Sequence, residues 1–201
     1  MHHLDTLETH PPISSTAFLP AHDNQSAGLT IWFTGLSGAG KSTIANAAAE
    51  NLKNRGLRVQ VLDADHIRTT LCRGLGYSRE DRDENIRRIG IVADLLTRNG
   101  VIVLVAAISP YRSTRDEVQQ LIGDFAEVYV NTPLHVCEER DPKGLYRKAR
   151  SGKLSNLTGV DDPYEEPQEP KLRLDTTAKT LCECVTEVVD LVYHHRAGGA
   201  S

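Results

Sequence analysis

Gly35-Leu-Ser-Gly-Ala-Gly-Lys41-Ser42 is the stretch on which the fold of this chain turns. Glycines at the first and sixth positions let a backbone curl until successive N–H groups point at one phosphate, and a helix starting there adds its positive pole. The flanks agree. Leu29-Thr-Ile-Trp-Phe-Thr34 is a compact β-prone run, and Thr43-Ile-Ala-Asn-Ala-Ala-Ala-Glu-Asn-Leu-Lys53 is made mostly of helix formers. Strand, glycine loop and helix in this order match the Walker A pattern in the setting its chemistry needs. Gly35, Leu36, Ser37, Gly38, Ala39, Gly40 and Thr43 would wrap the phosphates of ATP. Lys41 would reach the β and γ oxygens, and the Ser42 hydroxyl would ligate Mg²⁺.

Outward from the loop, strands and helices alternate. Gly56 closes the first helix, and Arg58-Val-Gln-Val-Leu62 reads as a strand ending at Asp63. Ser78-Arg-Glu-Asp81 has capping-box spacing, and Ile86, Ile89, Val92 and Leu96 recur at helical intervals until Asn99-Gly100. Val101-Ile-Val-Leu-Val105 is continuously apolar, as a central strand covered on both faces would be. A helix over 114–122, a strand over 125–130 and a helix over 133–140 follow, then a strand at 171–174 and a helix over 178–193 with Leu181, Val185, Val188, Val189 and Val192 inward. The fold class is therefore α/β, a P-loop NTPase or kinase fold with a mostly parallel central sheet and helices on both faces. Residues 141–170 lack apolar periodicity and are expected to form a structureless, mobile lid. The expected organisation is a flexible arm over 1–28, a kinase domain over 29–195 and a flexible tail over 196–201.

Composition narrows the partners. With 201 residues, 39% hydrophobic and 25% charged, the chain has room for one globular domain with its own core. A net charge of −4 and a pI near 6.1 give no electrostatic reason to expect a nucleic acid. No apolar run is long enough to span a bilayer, and no Lys or Arg precedes Lys41. A cytoplasmic protein with reduced thiols at Cys72, Cys137, Cys182 and Cys184 is expected.

A phosphate loop alone does not distinguish kinases from switches and motors. No Asn/Thr-Lys-x-Asp guanine-reading sequence is present, and the apolar strand 101–105 does not end in an acid, so another carboxylate must complete the metal site. Asp63 and Asp65 stand at the end of the second strand, where open α/β sheets bind ligands. A carboxylate there could hold Mg²⁺, take the proton of an attacking hydroxyl, or merely cap the next helix. Arg68 lies one turn on, and Arg82 and Asn85 share a face of the capped helix. Guanidinium groups suit an anionic acceptor, with a solvated charged face as the alternative.

Leu62-Asp-Ala-Asp-His-Ile-Arg68, Gly74-Leu-Gly-Tyr-Ser78, Asp81-Arg-Asp-Glu-Asn-Ile-Arg-Arg-Ile-Gly90, Ile108-Ser-Pro-Tyr-Arg112, Asp141-Pro-Lys-Gly-Leu-Tyr146, Lys148-Ala-Arg150 and Leu157-Thr-Gly159 together resemble the adenylylsulfate (APS) kinases over about residues 28–193. The resemblance implies transfer from MgATP to the 3′-hydroxyl of APS, giving 3′-phosphoadenylylsulfate (PAPS). It implies that Asp63 sits at the metal and the acceptor hydroxyl, and that Asp65, Arg68, Arg82, Asn85 and Ile108 bind acceptor. Tyr77 takes the place of a Phe that stacks on the acceptor adenine. Ser109 matches a serine described in the family as a phosphoserine intermediate, although direct in-line transfer requires none. Arg140 resembles an arginine that packs on the ATP base, and Lys143, Arg147 and Lys148 would neutralise phosphates. A homodimer is implied, and association with ATP sulfurylase is compatible. Two departures stand out: Ala64 replaces a Gly, and Leu157 replaces a second stacking Phe. They leave open a kinase of a related small metabolite, and the fold class leaves open a nucleotide-binding subunit with little catalysis of its own.

Overall fold

The computed structural model describes residues 28–198. The expected arm lies outside them except for Gly28, as do residues 199–201 of the expected tail. Five parallel strands form one sheet in the order β2-β3-β1-β4-β5. They are β1 (Leu29–Thr34), β2 (Val59–Asp63), β3 (Ile102–Ala106), β4 (Phe125–Val130) and β5 (Leu172–Leu174). The middle position falls to β1, and the apolar β3 is its inner neighbour.

Alternation along β1 explains why helices cover both faces. Leu29, Ile31 and Phe33 are fully buried against α1 (Lys41–Asn54) and α7 (Leu181–Gly198), in a core with Ile44, Ala48, Leu52, Val188 and Val192. Trp32, with Val103 and Val105, packs on the opposite side with α3 (Arg79–Arg98) and α4 (Arg112–Ile122), through Ile86, Ile89, Ala93, Val118 and Ile122. Ser78 caps α3 by accepting from the Asp81 N–H at 3.2 Å. The Asp81 carboxylate takes the Gly76 N–H at 2.9 Å rather than closing a reciprocal box.

Three expectations are corrected. Leu181 is exposed, and Cys184 takes the inward place one helical turn on. α7 continues through Gly198, so the expected tail begins as helix. Residues 141–170 are not structureless. They contain α6 (Leu145–Arg150), a bridge between Thr158 and Asp162, and buried Tyr146, Leu157 and Thr158. Carboxylates do the ordering here: Asp141 accepts from the Tyr146 and Arg147 N–H groups, and Asp161 from those of Asn156 and Leu157.

Candidate active site

Parallel strands place all their carboxyl ends on one edge, and a cleft of about 390 Å³ opens there. One end is the Walker loop, with Ser37, Gly38, Gly40, Lys41, Ser42 and Thr43 in its lining. Gly40 holds φ 108° and caps α1 without any side-chain bond, so the first-turn N–H groups are left to the cleft. At Gly35 a side chain is sterically barred, because a Cβ would lie 2.5 Å from the Val130 carbonyl oxygen. Thr132 fastens the loop from below by donating to the Ala39 carbonyl at 3.1 Å.

Lys41 is buried, and its ammonium donates to the Gly35 and Leu36 carbonyls at 2.9 and 2.7 Å. Burial, aided by the neighbouring charge of Lys143 and opposed by Asp65, lowers its pKa to about 8. The free protein therefore sheds this proton as pH rises through about 8, while a bound phosphate favours the charged form. ATP affinity is expected to be level below that value and to weaken about tenfold by pH 9, with about one proton taken up on binding at pH 9 and almost none at pH 7. Calorimetry at pH 7 and pH 9 in buffers of different ionisation heat checks both statements. An affinity unchanged at pH 9 would place the phosphate contact on another cation.

Asp63 ends β2, where the structure shows it in the capping role, one of the three open to it. Its Oδ2 accepts from the Ser42 hydroxyl at 2.6 Å, and its Oδ1 accepts from the Asp65 N–H at 2.9 Å, capping the short α2 (Ala64–Thr69). Register sets it there, since Asp63 pairs with Ala106 at the ends of their strands. Ser42 and Asp63 bring two hard oxygen donors together, a pair that would fit Mg²⁺, an ion that keeps waters and phosphates among its ligands. Among the described residues no three His, Cys, Asp or Glu side chains converge into a cage for a metal.

At its other end the cleft is lined by Asp65, Arg68, Tyr77, Arg82, Asn85, Ile108, Ser109 and Leu157. Arg68 donates to the Gly76 carbonyl at 2.9 Å and lies over the Tyr77 ring at 4.8 Å. Tyr77 is exposed, presenting a ring at the mouth. Arg82 is buried and largely spent on the protein: it donates to the Tyr77 carbonyl, the Thr158 hydroxyl and the Asn156 carbonyl. Asn85 is buried too, but its Oδ1 has no partner. Asp65 pairs with Lys143 across the cleft. Leu157 lines the cleft from within the main core cluster.

Three candidates stand apart. Arg140 holds Thr176 and touches the Gly38 carbonyl from outside the cleft, and Arg147 and Lys148 are exposed on α6, away from the lining. Two inward-turned polar side chains, one buried and one half-buried, escaped the sequence reading. Arg115 sits beneath Ser109, and Tyr164 bonds to Thr34 at 2.9 Å. The available signal was positional: Arg115 shares the inward face of α4 with Val118 and Ile122, a place normally apolar.

A Walker loop before a helix, a parallel sheet with β1 in the middle and a cleft reaching a second polar end define a P-loop phosphotransferase. Comparisons narrow the class. The profile of the adenylylsulphate kinase family matches residues 27–175. The adenylyl-sulfate kinase of Rippkaea orientalis is 62% identical over 161 residues, 80% of this chain and 89% of that protein. That of a Picosynechococcus species is 59% identical over 162 residues, 81% and 92% of the two chains. The structure of the Mycobacterium tuberculosis APS kinase CysC in complex with AMPPNP and APS superposes with a TM-score of 0.80 at 47% identity, covering 83% of this chain and 98% of that one. The chain belongs to the adenylylsulfate kinase family.

Proposed function

We propose that this cleft transfers the γ-phosphoryl group of ATP to the 3′-hydroxyl of APS, producing PAPS in the cytoplasm. The observation that carries the reading is the cleft's two-ended construction, with Lys41 and the Ser42–Asp63 pair at one end and Tyr77, Asn85 and Ser109 at the other. Lys41 turns from the loop carbonyls to the phosphates, and the α1 N-terminus holds their oxygens in line. Asp63 orients the acceptor hydroxyl and takes its proton, while Ser42 and Asp63 would hold Mg²⁺, which would neutralise charge on the phosphates. Asn85 donates to or accepts from the acceptor, and Tyr77 offers its ring to the adenine. Arg82 acts mainly by fastening residues 156–158 to α3.

A coupled assay comparing APS with hydroxyl acceptors that lack adenine or sulfate tests this reading. A higher kcat/KM for a non-adenine acceptor would transfer the cleft to another small metabolite. Exposed Ile91 and Leu95 on α3, with Leu121 on the adjoining α4, support the homodimer as part of the proposal. Sedimentation as a monomer at assay concentration would remove it.

Asn85 and Arg82 should separate cleanly. Asn85→Leu removes a buried carbonyl that lacks a protein partner, so the melting temperature should hold or rise while the KM for APS increases about tenfold. Arg82→Ala should lower the melting temperature as well, since it orphans two carbonyls and a hydroxyl. Equal stability losses in the two variants would assign Asn85 to structure alone.

A further inference from the structure

Ser109 occupies an unusual backbone position. It holds φ 41°, in the left-handed region that a non-glycine residue rarely enters, and it precedes Pro110, which disfavours helical backbone further. Such a geometry persists only where its surroundings enforce it. Two side chains do so. The Trp32 indole N–H donates to the Ser109 Oγ at 3.0 Å, and the Arg115 guanidinium donates to the Ser109 carbonyl at 2.7 Å. Both are almost wholly buried. Arg115 is itself fixed on two further sides, by Glu127 at 2.7 Å and by the Glu165 carbonyl at 2.7 Å.

An indole nitrogen can only donate, so the Ser109 oxygen must accept from it and keeps its own proton to give elsewhere. Among the described residues that hydroxyl has no other side-chain or backbone partner, and Ser109 lines the acceptor end of the cleft. We propose that Trp32 and Arg115 are positioning residues that lock Ser109 so that its hydroxyl donates a hydrogen bond to an oxygen of the bound acceptor. This rests on the acceptor reading of the cleft given above.

A double-mutant cycle on kcat/KM for APS tests it, with the KM for ATP as control. Trp32→Phe keeps an aromatic ring in the core and deletes the N–H. Ser109→Gly tolerates the positive φ and deletes the hydroxyl. Each should lower kcat/KM for APS about tenfold and leave the KM for ATP unchanged. Once Ser109 is glycine, Trp32→Phe should cost nothing more. Additive losses would overturn the proposal, because Trp32 would then act through packing alone. Arg115→Lys keeps the charge but cannot span three acceptors, so the same acceptor-side loss is expected; a wild-type kcat/KM would remove Arg115.

Trp32 is also the only tryptophan of the chain, which gives a reading on the intact wild-type protein. Adding APS should change its fluorescence, and Ser109→Gly should abolish that change. No response in the wild type, or an equal response in both, overturns the coupling. Wild-type protein that fails to turn over APS overturns the acceptor reading and this proposal together.

Discussion

Asp63→Asn should cut kcat about a thousandfold while moving the KM for ATP only a few fold. The substitution is nearly isosteric, and Asn is as good a helix cap as Asp, so the bond from the Asp65 N–H and the start of α2 should survive. What disappears is the negative charge beside Ser42, 2.6 Å from its hydroxyl, and with it the proposed proton acceptor and one of the two proposed metal ligands. The remaining loop still cradles phosphates through Lys41 and backbone N–H groups, which is why binding should suffer least. Steady-state kinetics at saturating ATP, repeated over a range of Mg²⁺, divide the roles. Activity recovered at high Mg²⁺ would assign Asp63 mainly to the metal, and a persistent loss would assign it mainly to the acceptor proton. A kcat within threefold of wild type would move both roles to another group.

How far the sequence could be read depends on how local each feature is. The Walker loop and its flanks were legible because glycine spacing, β-branched strand residues and helix formers act over a few positions, and β1 and α1 follow them closely. Strand ends slipped by one residue at β2 and β3, where the pairing of Val59 with Ile102 sets the limits rather than either segment's own pattern. Sheet order is tertiary and had no local signature. Residues 141–170 hid for a different reason: α6 is too short to show a helical period, and the rest is ordered by carboxylates bonding to N–H groups instead of by an apolar stripe. In the site, helical spacing placed Arg82 and Asn85 together correctly, yet spacing could not reveal that Arg82 is turned to residues 156–158 while Asn85 keeps an unpaired oxygen. Charge and family likeness group Lys148 with the phosphate partners, whereas its direction is set by α6, on which it stands exposed outside the cleft lining.

Arg115 carries the second large expectation. Arg115→Met should destabilise the fold by about 3–5 kcal/mol, beyond the usual range for a single substitution. Methionine fills much of the space, so the loss is electrostatic: Glu127, largely buried, keeps its charge without its partner, and the Ser109 and Glu165 carbonyls lose their donor. Burial already holds the Glu127 carboxyl above its ordinary pKa, with Arg115 pulling it down. Removing the cation leaves burial unopposed and raises it further. For a carboxyl whose folded pKa lies above the unfolded one, stability is fullest below the unfolded value and is lost as pH climbs through the folded value. The deficit of Arg115→Met against wild type should therefore be smaller at pH 5 than at pH 7.5, where Glu127 must ionise in the core. Urea unfolding at the two pH values measures it. Adding Glu127→Leu to Arg115→Met should restore part of the stability at pH 7.5, because an apolar pair replaces a lone buried charge, and it should flatten the pH dependence of the difference. A pH-independent deficit, or no recovery in the double variant, would mean that the lost carbonyl bonds and not the stranded carboxylate account for the effect.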